Sequence, residues 1–321
     1  MAVAASATLA TVRQVKPADD ARRFTPPSRD GVGASCIGLP VGTWLLLIDF
    51  LVQQFPAIVR DEWLQRFESG AVLDQEGSVL SSDTRYRANS KIYYYRQLQH
   101  ETRIPFEASV LYQDDYLVAV DKPHFLPVTP AGRYLQQTLL VRLKNQLGID
   151  TLAPMHRIDR ETAGVVVFTI QPATRAQYQA LFRQRAVRKQ YQAIASFLPD
   201  LVLPLVRHSR LEEAASFMQM REVDGVPNAT TRIELLAVQG ALARYGLQPE
   251  SGQRHQLRVQ MQGLGMPILH DRIYPVHLPE PPPGVAEDFS TPLQLLAKSI
   301  EFIDPIDGRL RSFESQRQLL F

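Results

Sequence analysis

The 321-residue sequence predicts a mixed α+β protein, and three observations carry that reading. Apolar runs of strand length recur through the second two thirds of the chain. Helical spacing falls between some of them, without a regular strand–helix–strand alternation. Hydrophobic residues make up 45%, a level that suits a globular protein with a sizeable core.

Taken in order, residues 1–42 are rich in Ala, Ser, Thr, Pro and Gly and lack apolar periodicity. They are expected to form a mobile tail. Residues 43–100 read as a separate small unit. Leu47, Ile48, Leu51, Val52 and Phe55 recur at helical spacing. A second short helix is expected from Asp61, taken as its N-cap, to a stop at Gly70. Residues 71–74 and 77–80 follow as a hairpin. Ile104-Pro105-Phe106 opens the main unit, 101–321. Strands are predicted there over 116–120, 165–169, 191–195, 231–238, 241–248 and 298–303. Helices are predicted over 171–185 and over 256–263, where Leu257 and Met261 share a face. Residues 279–284 are a proline-rich loop.

Composition excludes several classes. The single cysteine, Cys36, allows neither an intrachain disulfide nor a multi-cysteine metal site. The N-terminus lacks the pattern of a secretory signal. The longest apolar stretch, 44–55, is interrupted by Asp49, Gln53 and Gln54. It falls short of the roughly 20 residues needed to cross a bilayer. A cytoplasmic protein with no membrane contact is expected. Net charge is only +2, so affinity for nucleic acid must come from local patches. One such patch runs from 172 to 192. Arg175, Arg183, Arg185, Arg188 and Lys189 stand there with Tyr178, Phe182 and Tyr191, and with no acidic residue. That mixture suits a phosphate backbone and splayed bases; the plain alternative is the solvated face of an amphipathic helix.

The chemistry concentrates in His156-Arg157-Ile158-Asp159-Arg160-Glu161-Thr162-Ala163-Gly164, followed by Val165-Val166-Val167-Phe168. A polar loop feeds a buried strand. Two adjacent arginines would favour the ionised form of Asp159 and make it a poor general acid. It would remain usable as a nucleophile or electrostatic stabiliser. Alone, the pattern fits a structural salt bridge better. A kinase catalytic loop is excluded, because Ile158 separates Arg157 from Asp159 and Gly164 stands where an Asn is needed. His156 and His255 are isolated and lack metal-ligand spacing.

This loop closely resembles the catalytic motif of the RluA-like family of RNA pseudouridine synthases. Three further segments resemble that family in the same order: Val110 through Lys122-Pro123, Arg188-Lys189-Gln190-Tyr191, and Gly252-Gln253-Arg254-His255-Gln256-Leu257-Arg258. Gly265-Met266-Pro267-Ile268 and Asp271-Arg272-Ile273-Tyr274 follow. The likeness spans about 105–312. Ile158, Ala163, Gln253, Gln260 and His270 depart from the usual family residues, which bears on substrate choice rather than chemistry. Residues 43–100 resemble a divergent S4 RNA-binding module; Arg60, Arg66, Arg85, Arg87 and Lys91 would be its phosphate contacts.

The resemblance implies a mixed, largely antiparallel catalytic sheet preceded by a small S4-like α/β module. It implies isomerisation of uridine to pseudouridine in ribosomal RNA, transfer RNA or both, by a monomer needing neither metal nor organic cofactor. Asp159 would be the catalytic carboxylate, Tyr191 the platform for the base, and Arg258 the partner that holds Asp159. Arg157 would fill the space left by the flipped base. Lys122, Arg183, Arg188, Lys189 and Arg254 would hold phosphates, and His156, Arg160 and His255 would also line the RNA site. Two other classes stay open. One is an inactive RNA-binding protein on the same scaffold. The other is a carboxylate-based glycosidic-bond hydrolase, which needs a second acid, with Glu161 the nearest.

Overall fold

A computed structural model describes residues 24–98, 100–216, 218–279 and 286–321. The chain divides into two compact units. Among the described residues, 24–27 with Gly33–Arg96 form the first, and Ser28–Val32 with the described part of 97–321 forms the second.

The first unit is a three-stranded antiparallel sheet with two helices. Its elements are β1 (Ser35–Gly38), α1 (Leu47–Gln54), α2 (Arg60–Glu68), β2 (Val72–Asp74) and β3 (Lys91–Tyr94), with β3 central. α1 buries Leu47, Ile48, Phe50 and Leu51 against Trp63 and Phe67 of α2 and Val72, Ile92 and Tyr94 of the sheet. Three expectations are corrected here. The tail does not extend to 42, because Ser35–Gly38 finds backbone partners in β3 and so becomes a strand; residues 1–23 lie outside the described residues. Asp61 is not the N-cap: α2 starts at Arg60, and Val59, two residues before Asp61, occupies the cap with no side-chain bond. Arg66 is 4% exposed, its guanidinium packed over the Trp63 ring, so it cannot reach a phosphate.

The second unit is built on one sheet. Its elements are β4 (Ser109–Gln113), β5 (Leu117–Lys122), α3 (Leu139–Leu147), β6 (Ala153–Pro154), β7 (Ala163–Thr169), α4 (Arg175–Arg183), β8 (Arg188–Ser196), β9 (Leu205–Glu213), β10 (Met220–Val223), β11 (Ala229–Gln239), β12 (Leu242–Pro249), α5 (Gln256–Gly263), β13 (Leu295–Ile303) and β14 (Leu310–Glu314). The strand order is β10-β9-β11-β12-β8-β13-β7-β5-β4, with β14 on β13 and β6 on β7. All these pairings are antiparallel except β13 with β7. The mixed, largely antiparallel sheet expected from the sequence is present.

Two of these relations position the loops that carry the polar motifs. The expected helix 171–185 is a turn of 3-10 helix, Pro172–Thr174, leading into the shorter α4. Most of the expected proline-rich loop, 280–284, lies outside the described residues. β7 is buried along its whole length, which accounts for its run of β-branched residues. Late in the chain, β13 inserts between β7 and β8. Its Ala297 is the register partner of both Gly164 and Tyr191. α5 packs Leu257 and Met261 on the other half of the sheet, against Ala193, Ile233 and Tyr245. The Asp159 loop, Tyr191 and Arg258 thus reach one place from three distant parts of the sequence.

Candidate active site

An open cleft of about 700 Å³ is lined by His156, Arg157, Asp159, Lys189, Tyr191, Arg254 and Arg258, among others. Asp159 sits in a tight turn in which its carbonyl accepts the Thr162 N–H at 3.2 Å. The neighbouring Ile158 packs into the core with Leu126, Val128 and Leu139 and so anchors the loop.

Two of the three arginines expected beside Asp159 are corrected, Arg157 and Arg160. Arg157 is exposed. Arg160 turns away to Glu287 and, at 3.1 Å, to Glu161, with its guanidinium over the rings of Tyr134 and Phe125. Its NH1 and NH2 are thus committed to carboxylates other than that of Asp159. The guanidinium beside Asp159 is that of Arg258, the partner the resemblance implied, whose NH1 donates to Oδ2 at 3.2 Å.

Arg258 is itself fixed. Its Nε and NH2 donate to Oδ2 and Oδ1 of Asp271 at 2.8 and 2.6 Å. The Tyr274 ring lies 5.6 Å from its Cζ. Asp271 in turn accepts the backbone N–H groups of Ile273 and Tyr274. Arg258 is 1% exposed. Burial opposes its charge, but the Asp271 hydrogen bonds and the charges of Asp159, Asp271 and Glu161 outweigh that and raise its pKa. Burial likewise opposes ionisation of Asp159, but His255, Arg258 and Lys122 together hold its carboxyl below the usual range. Burial also holds His255 below its ordinary value despite the pull of Asp159. With that ring neutral near pH 7, Arg258 is the lasting positive charge in contact with Asp159.

Lys122 is a second correction. It is 0% exposed, and its Nζ donates to the carbonyls of Pro123, Leu126 and Arg160 at 3.0, 2.8 and 3.0 Å. Burial draws it down to about 7, against the pull of Glu161 and Asp159. Wholly enclosed, it cannot meet a phosphate; it ties the Lys-Pro turn to the backbone of the Asp159 loop. His156 accepts the Val167 N–H at Nε2, 3.3 Å, so its proton sits on Nδ1. Its ring stacks on Phe182 with centroids 5.2 Å apart, and burial pushes it down to about 3.

Tyr191 lines the cleft from β8. Burial, then the Asp159 charge, raise its pKa well above that of a free phenol, so it stays neutral. Lys189 donates to the Ser251 carbonyl at 2.7 Å and is lowered by burial to about 8. Arg183 and Arg188 are exposed, with Arg188 3.6 Å from Glu301. Arg254 lies 3.7 Å from Glu213. His255 precedes α5 in a left-handed conformation, φ 53°, with Nε2 4.0 Å from Asp159 Oδ2. Three residues with evident structural roles had none assigned in the sequence: Asp271, Tyr274 and Glu287. The first two lie in a recognised segment, and an arginine facing two carboxylates was the available signal. Glu287 lies in no motif. Among the described residues, no group of three or more His, Cys, Asp or Glu could hold a metal ion. No described helix is long and apolar enough to cross a membrane.

Comparison with known proteins gives the family. Residues 116–263 match the family model described as RNA pseudouridylate synthase. The dual-specificity RNA pseudouridine synthase RluA of Haemophilus influenzae is 30% identical over 216 residues, 64% of this chain and 92% of that protein. The chain belongs to the RluA-like family of RNA pseudouridine synthases. An uncharacterized RNA pseudouridine synthase of Synechocystis is 28% identical over 232 residues, 71% of this chain and 79% of that protein. The mitochondrial tRNA pseudouridine(32) synthase of Saccharomyces cerevisiae is 27% identical, with the match spanning 50% of its length. Human RNA pseudouridylate synthase domain containing 1 shares the fold, with TM-score 0.51 and 18% identity over 66% of this chain and 84% of that one.

Proposed function

We propose that this pseudouridine synthase isomerises uridine in structured ribosomal or transfer RNA with Asp159 as its catalytic carboxylate. The observation that carries the reading is the part-exposed Asp159 held by the buried Arg258–Asp271 pair, beside Tyr191 in an open cleft. In this reaction the uracil N1–C1′ bond breaks, the base turns, C5 bonds to C1′, the C5 proton leaves, and N1 takes up a proton, so the product is an isomer. A carboxylate kept ionised beside the ribose suits nucleophilic or electrostatic work at C1′. The neutral Tyr191 ring suits a platform for the detached base. The target must leave its stack, which costs least in loops and bulges. We assign the exposed Arg157 to fill the gap, and Arg183, Arg188 and Arg254 to meet phosphates. Glu161, the second acid a hydrolase would need, is engaged by Arg160 at 3.1 Å and approached by Arg258 at 3.8 Å, which disfavours that reading.

We assign the first unit an S4-like RNA-binding role, with the exposed Arg85, Arg87 and Lys91 as its phosphate contacts. Changing all three to Gln is expected to weaken RNA binding more than it slows turnover on saturating RNA. The single cysteine favours a reducing compartment, and a cytoplasmic monomer is the reading we keep.

The decisive experiment is carbodiimide primer-extension mapping of cellular RNA with the gene present, deleted, and replaced by Asp159→Asn. A stop that vanishes in both altered strains identifies the target. Near wild-type modification by Asp159→Asn would remove the assignment.

A further inference from the structure

The proton on His255 can be placed from its neighbours. The Tyr274 hydroxyl oxygen accepts the Met220 N–H at 2.7 Å. Nδ1 of His255 lies 3.0 Å from the same oxygen, with the two rings at 90°. Tyr274 is 5% exposed, and its hydroxyl has no other acceptor within reach among the described residues. A phenol has one hydrogen to give. Sent anywhere else, it would be a buried donor without a partner. Given to His255, it makes Nδ1 an acceptor and leaves the ring proton on Nε2.

The far side of the ring agrees. Nε2 is 4.0 Å from Oδ2 of Asp159, the same oxygen that Arg258 contacts at 3.2 Å. A bare nitrogen there would set its lone pair against those of the carboxylate, whereas an N–H faces them favourably. At 4.0 Å this is an electrostatic contact rather than a hydrogen bond. Contacts of this kind are often long before substrate binds and shorten in the complex. Oδ1 of Asp159 has no protein partner among the described residues.

We propose that Tyr274 fixes His255 in its Nε2–H tautomer, and that His255 is a positioning residue which joins Arg258 on Oδ2 and leaves Oδ1 of Asp159 to work at the ribose. Tyr274 then serves twice, with its ring over Arg258 and its hydroxyl on His255. Both residues that steady Oδ2 are oriented from behind, Arg258 by Asp271 and His255 by Tyr274. This rests on Asp159 being the catalytic carboxylate. The Asp159→Asn mapping tests that point, while the spectrum described next needs no turnover.

Long-range ¹H–¹⁵N spectra of the full-length protein, labelled at histidine, report the tautomer, with His255→Gln identifying the signal. The expected pattern is an unprotonated Nδ1 and a protonated Nε2 in the wild type, moving toward a mixture in Tyr274→Phe. Single-turnover rates on 5-tritiated total RNA from a strain lacking the gene supply the second measurement. Tyr274→Phe should slow turnover about 3- to 10-fold with KM changed less than about twofold. His255→Gln, whose amide can reach the Nε2 position, should retain several times the rate of His255→Asn, whose amide reaches only Nδ1. Asn is better suited than Gln to the left-handed backbone at this position. That order therefore cannot arise from backbone strain. A proton found on Nδ1 in the wild type, Tyr274→Phe with an unchanged rate, or Gln no better than Asn would each overturn the proposal.

Discussion

Arg258 and Asp271 form a two-pronged ion pair in which each side chain is 1% exposed, and the pair leaves one guanidinium nitrogen, NH1, directed at Asp159. Removing one partner of such a pair leaves a buried charge uncompensated. Asp271→Ala is expected to lose about 3–5 kcal/mol of stability, measured by chemical denaturation. Residual folded protein should be nearly inactive, because NH1 is no longer aimed. Wild-type stability would mean that the pair does not hold α5 to the loop after it.

Tyr191 is kept neutral, so its ring should matter more than its hydroxyl. Tyr191→Phe is expected to retain about 10–100 times the single-turnover rate of Tyr191→Ala. Equal losses in the two variants would remove the stacking role.

Lys122 gives a pH signature. Its folded value, about 7, lies below its ordinary 10.5. Between those limits the unfolded chain binds the extra proton, so this residue makes stability rise with pH from about 7 upward. Lys122→Met removes that slope and strips three buried carbonyls of their donor. The variant should lose about 2–4 kcal/mol relative to wild type. In urea titrations the gap should be wider at pH 9 than at pH 7. A gap that narrows with rising pH would reverse the sign argued here.

Gly164 has φ +114°, and a Cβ there would stand 2.1 Å from the Ala297 carbonyl oxygen. Gly164→Ala must therefore part β7 from β13. A loss of about 3 kcal/mol or more, or failure to fold, is expected in denaturation and soluble-yield measurements. An alanine tolerated without cost would contradict the parallel pairing of these strands.

Much of this arrangement was legible in the sequence, for identifiable reasons. α5 runs from 256 to 263 as expected, because Leu257 and Met261 both seat on the sheet. The order of Asp159, Tyr191 and Arg258 pointed to a shared site. The partner of Asp159 within its own loop was misjudged, since adjacency in sequence says little about which way Arg157 and Arg160 turn. The burial of Lys122 left no sequence signal, because its acceptors are backbone carbonyls. β9 was missed for another reason: its charged residues, such as Arg207 and Glu212, mask a strand that is defined by pairing with β10 and β11. α3 did carry its signals, with Thr138 capping its start and Gly148 closing it in a left-handed turn.

The insertion of β13 between β7 and β8 has a consequence for biosynthesis. The ribosome delivers Asp159, Tyr191 and Arg258 well before Ala297, the residue whose backbone lies between Tyr191 and Gly164, where the Asp159 loop enters β7. A nascent chain can carry every residue of the site and still lack the wedge that sets them apart. The spacing of the cleft then waits on a strand made after every residue it positions, a long-range pairing of the kind that folds slowly.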